Sequence, residues 1–108
     1  MLASMVPVVR IVDSSSKSEA FLALEVQNAG FAAYNIYRRS LSTGQRDFER
    51  VATLINNNKK IITYHDSGLQ VGQAAQFTVV GVDAAGNTSS AYISDVVEIQ
   101  DQGPKWLI

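Results

Sequence analysis

The residues that could carry chemistry in this 108-residue chain are few and scattered. His65 is the only histidine, and Asp66 stands beside it. Neighbours on a strand point to opposite faces, so these two form no acid–base dyad by adjacency, and no nucleophile is arranged around them. They read as a strand-end histidine and a turn aspartate. Serines are plentiful, as in Ser14-Ser15-Ser16 and Ser89-Ser90. No G-x-S-x-G elbow or S-x-x-K spacing sets one beside a base, so they read as loop serines. Zinc would have to be held without a cysteine or a second histidine. Asp13, Asp47, Asp66, Asp83, Asp95 and Asp101 are spread along the chain without the spacing of a calcium loop. Gly81 and Gly86 lack the pattern that cradles a phosphate. The expectation is therefore no catalytic set, no metal and no cofactor: the chain does not read as an enzyme.

The charged residues point the same way. Arg38, Arg39, Arg46, Arg50, Lys59 and Lys60 are interleaved with Asp47 and Glu49, which reads as a solvated strand edge rather than a polyanion site. A formal net charge of -1 leaves no global field for nucleic acid, which is not expected as a partner. Asn87-Thr88-Ser89 satisfies the N-x-S/T acceptor rule, but its place between strand-like segments reads first as a turn.

The elements that must position these residues are strands. Short runs of Val, Ile, Phe, Tyr and Thr recur between clusters of Gly, Asn, Ser and Asp, and no long stretch holds a helical period. A first edge strand is expected over residues 6–12, and a polar turn over 13–18. Leu22, Leu24 and Val26 then alternate with Ala23, Glu25 and Gln27 as a half-buried strand should. In the third strand Tyr34 and Ile36 share one face, and Asn35, Tyr37 and Arg39 the other. A strand around residues 48–54 is expected to anchor inward through Phe48 and Val51. A short strand over 61–64 closes in the turn Asp66-Ser67-Gly68. Residues 73–83 form a longer strand with Ala75, Phe77, Val79 and Gly81 toward the core, and residues 91–99 the last one. The total is about seven strands, the number of a constant-type sandwich.

One domain is expected over residues 5–100, because 108 residues enclose a single core. Residues 101–108 read as a linker or C-terminal tail. Gly103-Pro104 ends pairing, and Trp106, with Leu107 and Ile108, either folds back on the sandwich or begins a neighbouring element; fold-back is favoured, since such an end would otherwise be sticky. With no cysteine, stability must come from packing and backbone pairing. No apolar stretch approaches the ~18 residues of a membrane span, so no membrane insertion is expected. The first twelve residues lack a basic leader, and Pro7 and Arg10 interrupt them where a signal peptide would be continuously apolar.

The strings AYNIYRR, FERVATL, ITYHDSGL and VGQAAQFTVVGVDAAGNTSSAY occur in an order that resembles the successive strands of fibronectin type III domains, across roughly residues 20–99. The resemblance is nearest to the modules of bacterial extracellular enzymes and surface proteins. It implies an all-β, seven-stranded antiparallel β-sandwich of the fibronectin type III or immunoglobulin-like kind. It also implies a buried Leu69 before the last two long strands, and a loop shaped by Asp83, Gly86 and Asn87. Two positions depart from the family. Ala75 stands where a tyrosine usually pins the corner, and Leu24 where a tryptophan usually fills the core. Phe31, Tyr64, Phe77 or Trp106 would have to supply the missing bulk.

Two surfaces remain as binding candidates. Loops at residues 28–32, 56–60 and 84–90 should cluster at one end of the sandwich, where Phe31 is the one evident exposed aromatic and Asn87 a polar contact. The other surface is the sheet face that carries Tyr37, Val80 and Val82, whose apolar side chains point away from the core. The expected function is a non-catalytic spacer or interaction module of a larger extracellular or cell-envelope protein. Its partners would be neighbouring domains or another protein, in a monomer or weak dimer. The alternative is a self-sufficient domain that binds protein or carbohydrate through the loop end.

Overall fold

A computed structural model describes residues 5–15, 20–66 and 72–99. Its strands are β1 (Val9–Ser15), β2 (Ala20–Gln27), β3 (Ala33–Ser40), β4 (Glu49–Ile55), β5 (Ile61–Asp66), β6 (Ala74–Val82), β7 (Tyr92–Ile93) and β8 (Val97–Glu98). One sheet has the order β1-β2-β5; the other runs β4-β3-β6-β7, with β8 also paired to β6. Every pairing is antiparallel.

The period-2 alternation read from the sequence is the alternation of burial. Leu22, Leu24 and Val26 of one sheet meet Tyr34, Ile36, Ala75, Phe77 and Val79 of the other, all fully buried. Phe31, Ile62 and Ile99 complete the cluster, with Val9, Ile11, Val51, Leu54, Tyr64, Tyr92 and Val97 packed at its margin. Phe31, Phe77 and Tyr64 are thus among the side chains that supply core bulk beside Leu24 and Ala75. Leu69 and residues 101–108, including Trp106, lie outside the described residues.

Five expectations need correcting. The first strand begins at Val9 and runs to Ser15, displaced from residues 6–12, because its pairing with β2 is set by Val9 opposite Val26 and Ile11 opposite Leu24. Phe48 is no inward anchor: it precedes β4, and the Arg39 guanidinium lies 5.1 Å from its ring centroid. A register shift at Ile36/Tyr37 leaves the inward role to Val51, Ala52 and Leu54.

The third correction concerns the last strand, which is two short ones. Ser94 is buried, and the Phe77 N–H donates to its Oγ at 2.9 Å while the Ser94 N–H donates to the Phe77 carbonyl. A side-chain hydroxyl thereby takes a place in the ladder and interrupts the regular exchange, so the last strand is split into β7 and β8. Ser89 does the same for Gly81, accepting its N–H at 2.9 Å, and is a buried structural residue rather than a loop serine. Finally, β5 extends past Tyr64 to Asp66, which is buried at the strand end, while Ser67 and Gly68 of the expected turn lie outside the described residues.

Candidate interaction surfaces

His65 and Asp66 illustrate how the strand pleat distributes polar groups. His65 lies exposed on the outer face of β5, opposite Ala23, while Asp66 points inward and is 2% exposed. Arg38, on the same face of β3 as Tyr34 and Ile36, reaches it from the other sheet. Its Nη1 donates to both carboxylate oxygens at 2.7 and 2.6 Å. Arg38 therefore belongs to an ion pair that bridges the sheets, which corrects its reading as a solvated edge residue. Tyr64 beside this pair is pushed up from the usual phenol range, first by burial and then by the Asp66 charge, with Arg38 opposing. Among the described residues no three His, Asp or Glu side chains converge as metal ligands.

At the loop end, residues 28–32 and 56–60 are tied together by amides. Asn28 Nδ2 donates to Asn56 Oδ1 and to the Lys59 carbonyl, each at 2.9 Å, and Asn56 Nδ2 donates to the Phe31 carbonyl at 2.7 Å. The Tyr34 hydroxyl donates to Asn28 Oδ1 and accepts the Ala29 N–H. The three loops do share one end, since Ala33 faces both Ile55 and Val82 in register. Phe31, however, is not an exposed aromatic. It is 2% exposed, set edge-on to Tyr34 and laid over Gly81. A Cβ at Gly81 would sit 2.6 Å from two of its ring atoms, so the bare α-carbon makes room for the ring. A ring needed for the core cannot stack on a sugar, and the described loop end offers no other aromatic.

Asn87 sits exposed in the turn after β6. Its backbone N–H donates to Asp83 Oδ1 at 2.7 Å and its Nδ2 to Oδ2 at 3.2 Å. The Ala85 N–H adds a further bond to Oδ1. The Asn87 backbone bond is the largest of the causes that hold the Asp83 carboxyl below its usual range. Asp83 and Asn87 thus shape this turn from within.

The outer face of the larger sheet is different in character. Tyr37, Val80 and Val82 are brought together on it, each half-buried. Two residues that the sequence reading missed extend the apolar surface: Ile55, 69% exposed and opposite Ala33, and Ile93, 60% exposed and opposite Thr78. Ile55 could have been found by stepping two residues from Thr53 along β4. A two-residue strand has no period to read, so Ile93 could not. Within the strip, the Thr53 hydroxyl donates to Asn35 Oδ1 at 2.7 Å. Toward the other end the face turns polar. Arg39 donates through Nε and Nη2 to Gln76 Oε1 and through Nη1 to the Arg46 carbonyl.

No family model and no curated protein matches the chain. Solved structures do. An Fn3-like protein from Clostridium thermocellum aligns with a TM-score of 0.50 and 22% identity over 92% of this chain and 95% of that one. The twitchin kinase region from C. elegans, which includes an Fn3 and an Ig domain, aligns with a TM-score of 0.55 and 18% identity. That match covers 87% of this chain and 16% of the twitchin chain. A β-1,2-glucanase from Parabacteroides distasonis aligns with a TM-score of 0.62 and 23% identity over 94% of this chain and 13% of that one. At these identities the likeness is one of fold. The chain is an all-β sandwich with a fibronectin type III-like fold, and it spans a small part of the twitchin and glucanase chains.

Proposed function

We propose that the chain is a non-catalytic module of a larger extracellular or cell-envelope protein, and that it seats a neighbouring domain or another protein on the outer face of its larger sheet. The observation that carries this reading is the apolar strip of Ile55, Val82, Val80, Tyr37 and Ile93 on a face over which none of the described strands packs. Apolar residues gathered on one exposed face favour a partner, whereas singly scattered ones call for none. The polar groups described above are spent on internal geometry: Arg38 on Asp66, Asn28 on Asn56, Asp83 on its own turn. Similarity to small parts of the twitchin and glucanase chains supports the role of one module among several.

The test is the full gene product. Methyl resonances of Ile55, Val80, Val82 and Ile93 are compared between residues 1–108 alone and the same residues in the natural polypeptide. Displacement of this set is expected. An unchanged set, or a gene product that ends with these 108 residues and binds nothing through this face, overturns the proposal. Hydrolytic turnover by the isolated chain on glycan or ester substrates would overturn its non-catalytic part.

A further inference from the structure

The bulge in β4 decides where Arg50 points. From Ile55 back to Ala52 the register with β3 is regular, pairing Ala33 with Ile55, Tyr34 with Leu54, Asn35 with Thr53 and Ile36 with Ala52. Continued without a break, it would set Val51 opposite Tyr37 and Arg50 opposite Arg38, on the inward face with Ala52 and Leu54. The shift at Ile36/Tyr37 sets Arg50 opposite Tyr37 instead, on the outer face of the larger sheet. Val51 and Ala52, adjacent in sequence, both pack against the core, so the alternation breaks between them. A bulge re-aims a side chain, and the one delivered here is a guanidinium beside the apolar strip.

That guanidinium is unanswered. Arg50 is exposed and makes no hydrogen bond, ion pair or ring contact among the described residues. Arg39, on the same face, is engaged by Gln76, the Arg46 carbonyl and the Phe48 ring. The one carboxylate that the described strands place on this face is Glu98, opposite Ala74 on the far side of β6 from β4. Ala74 lies four residues along β6 from Thr78, which faces Tyr37. At ~3.3 Å per residue and ~4.8 Å between strands, Glu98 stands about 13 Å along the sheet and about 14 Å across it from Arg50, too far for an ion pair.

We infer that the partner seated on this face is a protein surface that sets a carboxylate, from an Asp or Glu amid apolar side chains, against Arg50. The inference rests on the reading of the outer face as a seat and names the chemistry of what sits there. Charge complementarity selects the carboxylate. A planar guanidinium takes it through two parallel N–H···O bonds, and the flanking Tyr37 and Val80 withhold water from the pair once a partner covers them. A polyanion would call for a row of free cations, whereas on this face Arg39 already has its partners. Arg50 is thus a specificity-determining residue, and the apolar strip supplies the contact area around it.

The test uses the natural gene product, in which the Val80 and Ile93 methyl resonances report the seated partner. The Arg50 Nε–Hε resonance is expected to be displaced together with them from its position in residues 1–108 alone. Arg50→Gln should weaken the docking equilibrium roughly 10- to 100-fold, the worth of a hydrogen bond to a charged group. Arg10→Gln removes the same charge from a side chain 78% exposed on the other sheet, and should leave docking unchanged. Both variants of residues 1–108 should unfold in urea close to the parent, which separates a lost contact from a lost fold. Displaced methyls with an unmoved Arg50 resonance, or with Arg50→Gln no worse than Arg10→Gln, would overturn the inference and leave the outer-face reading standing. If neither the methyls nor Arg50 moved, both would fall. A shift of the Arg50 resonance in residues 1–108 on adding inorganic phosphate, absent with sodium acetate, would also overturn the inference and assign Arg50 to a phosphoryl ligand.

Discussion

Arg38 and Asp66 allow a test of how the two sheets are held in register. Asp66 is 2% exposed and the Arg38 side chain 24%, so the two ends of the bridge differ in access to water. Two unit charges about 4 Å apart attract by about 4 kcal/mol at an effective dielectric of 20. Desolvation offsets much of this, so the intact pair adds little net stability; the large cost lies in breaking it from one side. Arg38→Met keeps the length of the side chain and strips its charge, leaving the buried carboxylate without its guanidinium. The expected loss is about 3–5 kcal/mol. Asp66→Leu leaves a guanidinium that can still turn to water, and should cost less, about 1–3 kcal/mol. The double variant Arg38→Met/Asp66→Leu buries no unmatched charge from the pair and should be more stable than Arg38→Met alone. Urea unfolding of the three variants and the parent, with the slope checked for constancy, measures all four corners of the cycle. A double variant no more stable than Arg38→Met would refute the reasoning. So would a loss below about 1 kcal/mol for Arg38→Met, the behaviour of a surface pair.

Further expectations concern the loop end and the outer face. Gly81→Ala places a methyl against the Phe31 ring and should destabilise by about 1–3 kcal/mol, with the change in near-ultraviolet circular dichroism reporting displacement of the ring. Phe77→Ala, at the centre of the core, should cost about 3–5 kcal/mol in chemical unfolding. Thr78 has a buried hydroxyl with no hydrogen-bond partner among the described residues, so Thr78→Val should leave stability unchanged or raise it by up to about 1 kcal/mol. Asp83 is held below its ordinary value, so its contribution to the turn is fully present above the unfolded carboxyl range near pH 4. It should be lost as pH falls through the lower folded value. The amide shifts of Ala85 and Asn87, which donate to its carboxylate, should follow that titration, and midpoints at or above the ordinary value would refute the assignment.

The sequence by itself determined the faces of the strands. A period of two can satisfy burial on only one side, so Leu22, Leu24 and Val26, then Tyr34 and Ile36, then Ala75, Phe77, Val79 and Gly81, had to point to one core. The same logic turned Tyr37, Val80 and Val82 outward. It also separated His65 from Asp66 before any coordinate was known.

What only the tertiary structure decided is whatever depends on the packing of one sheet against the other. Arg38 shares the parity of Tyr34 and Ile36, a sign of an inward position, but its charge read as solvent-exposed until Asp66 of the other sheet met it. Phe31 sits in a loop, where periodicity gives no direction, and its burial required the bare α-carbon of Gly81 across from it. Ser89 and Ser94 entered the ladder through their hydroxyls, a choice that local composition leaves open and that the neighbouring strand β6 settled. The exposure of Ile55 and Ile93 was decided last of all, because an outward side chain is covered or bare according to what lies beyond the sheet, and the alternation along a strand carries no information about that.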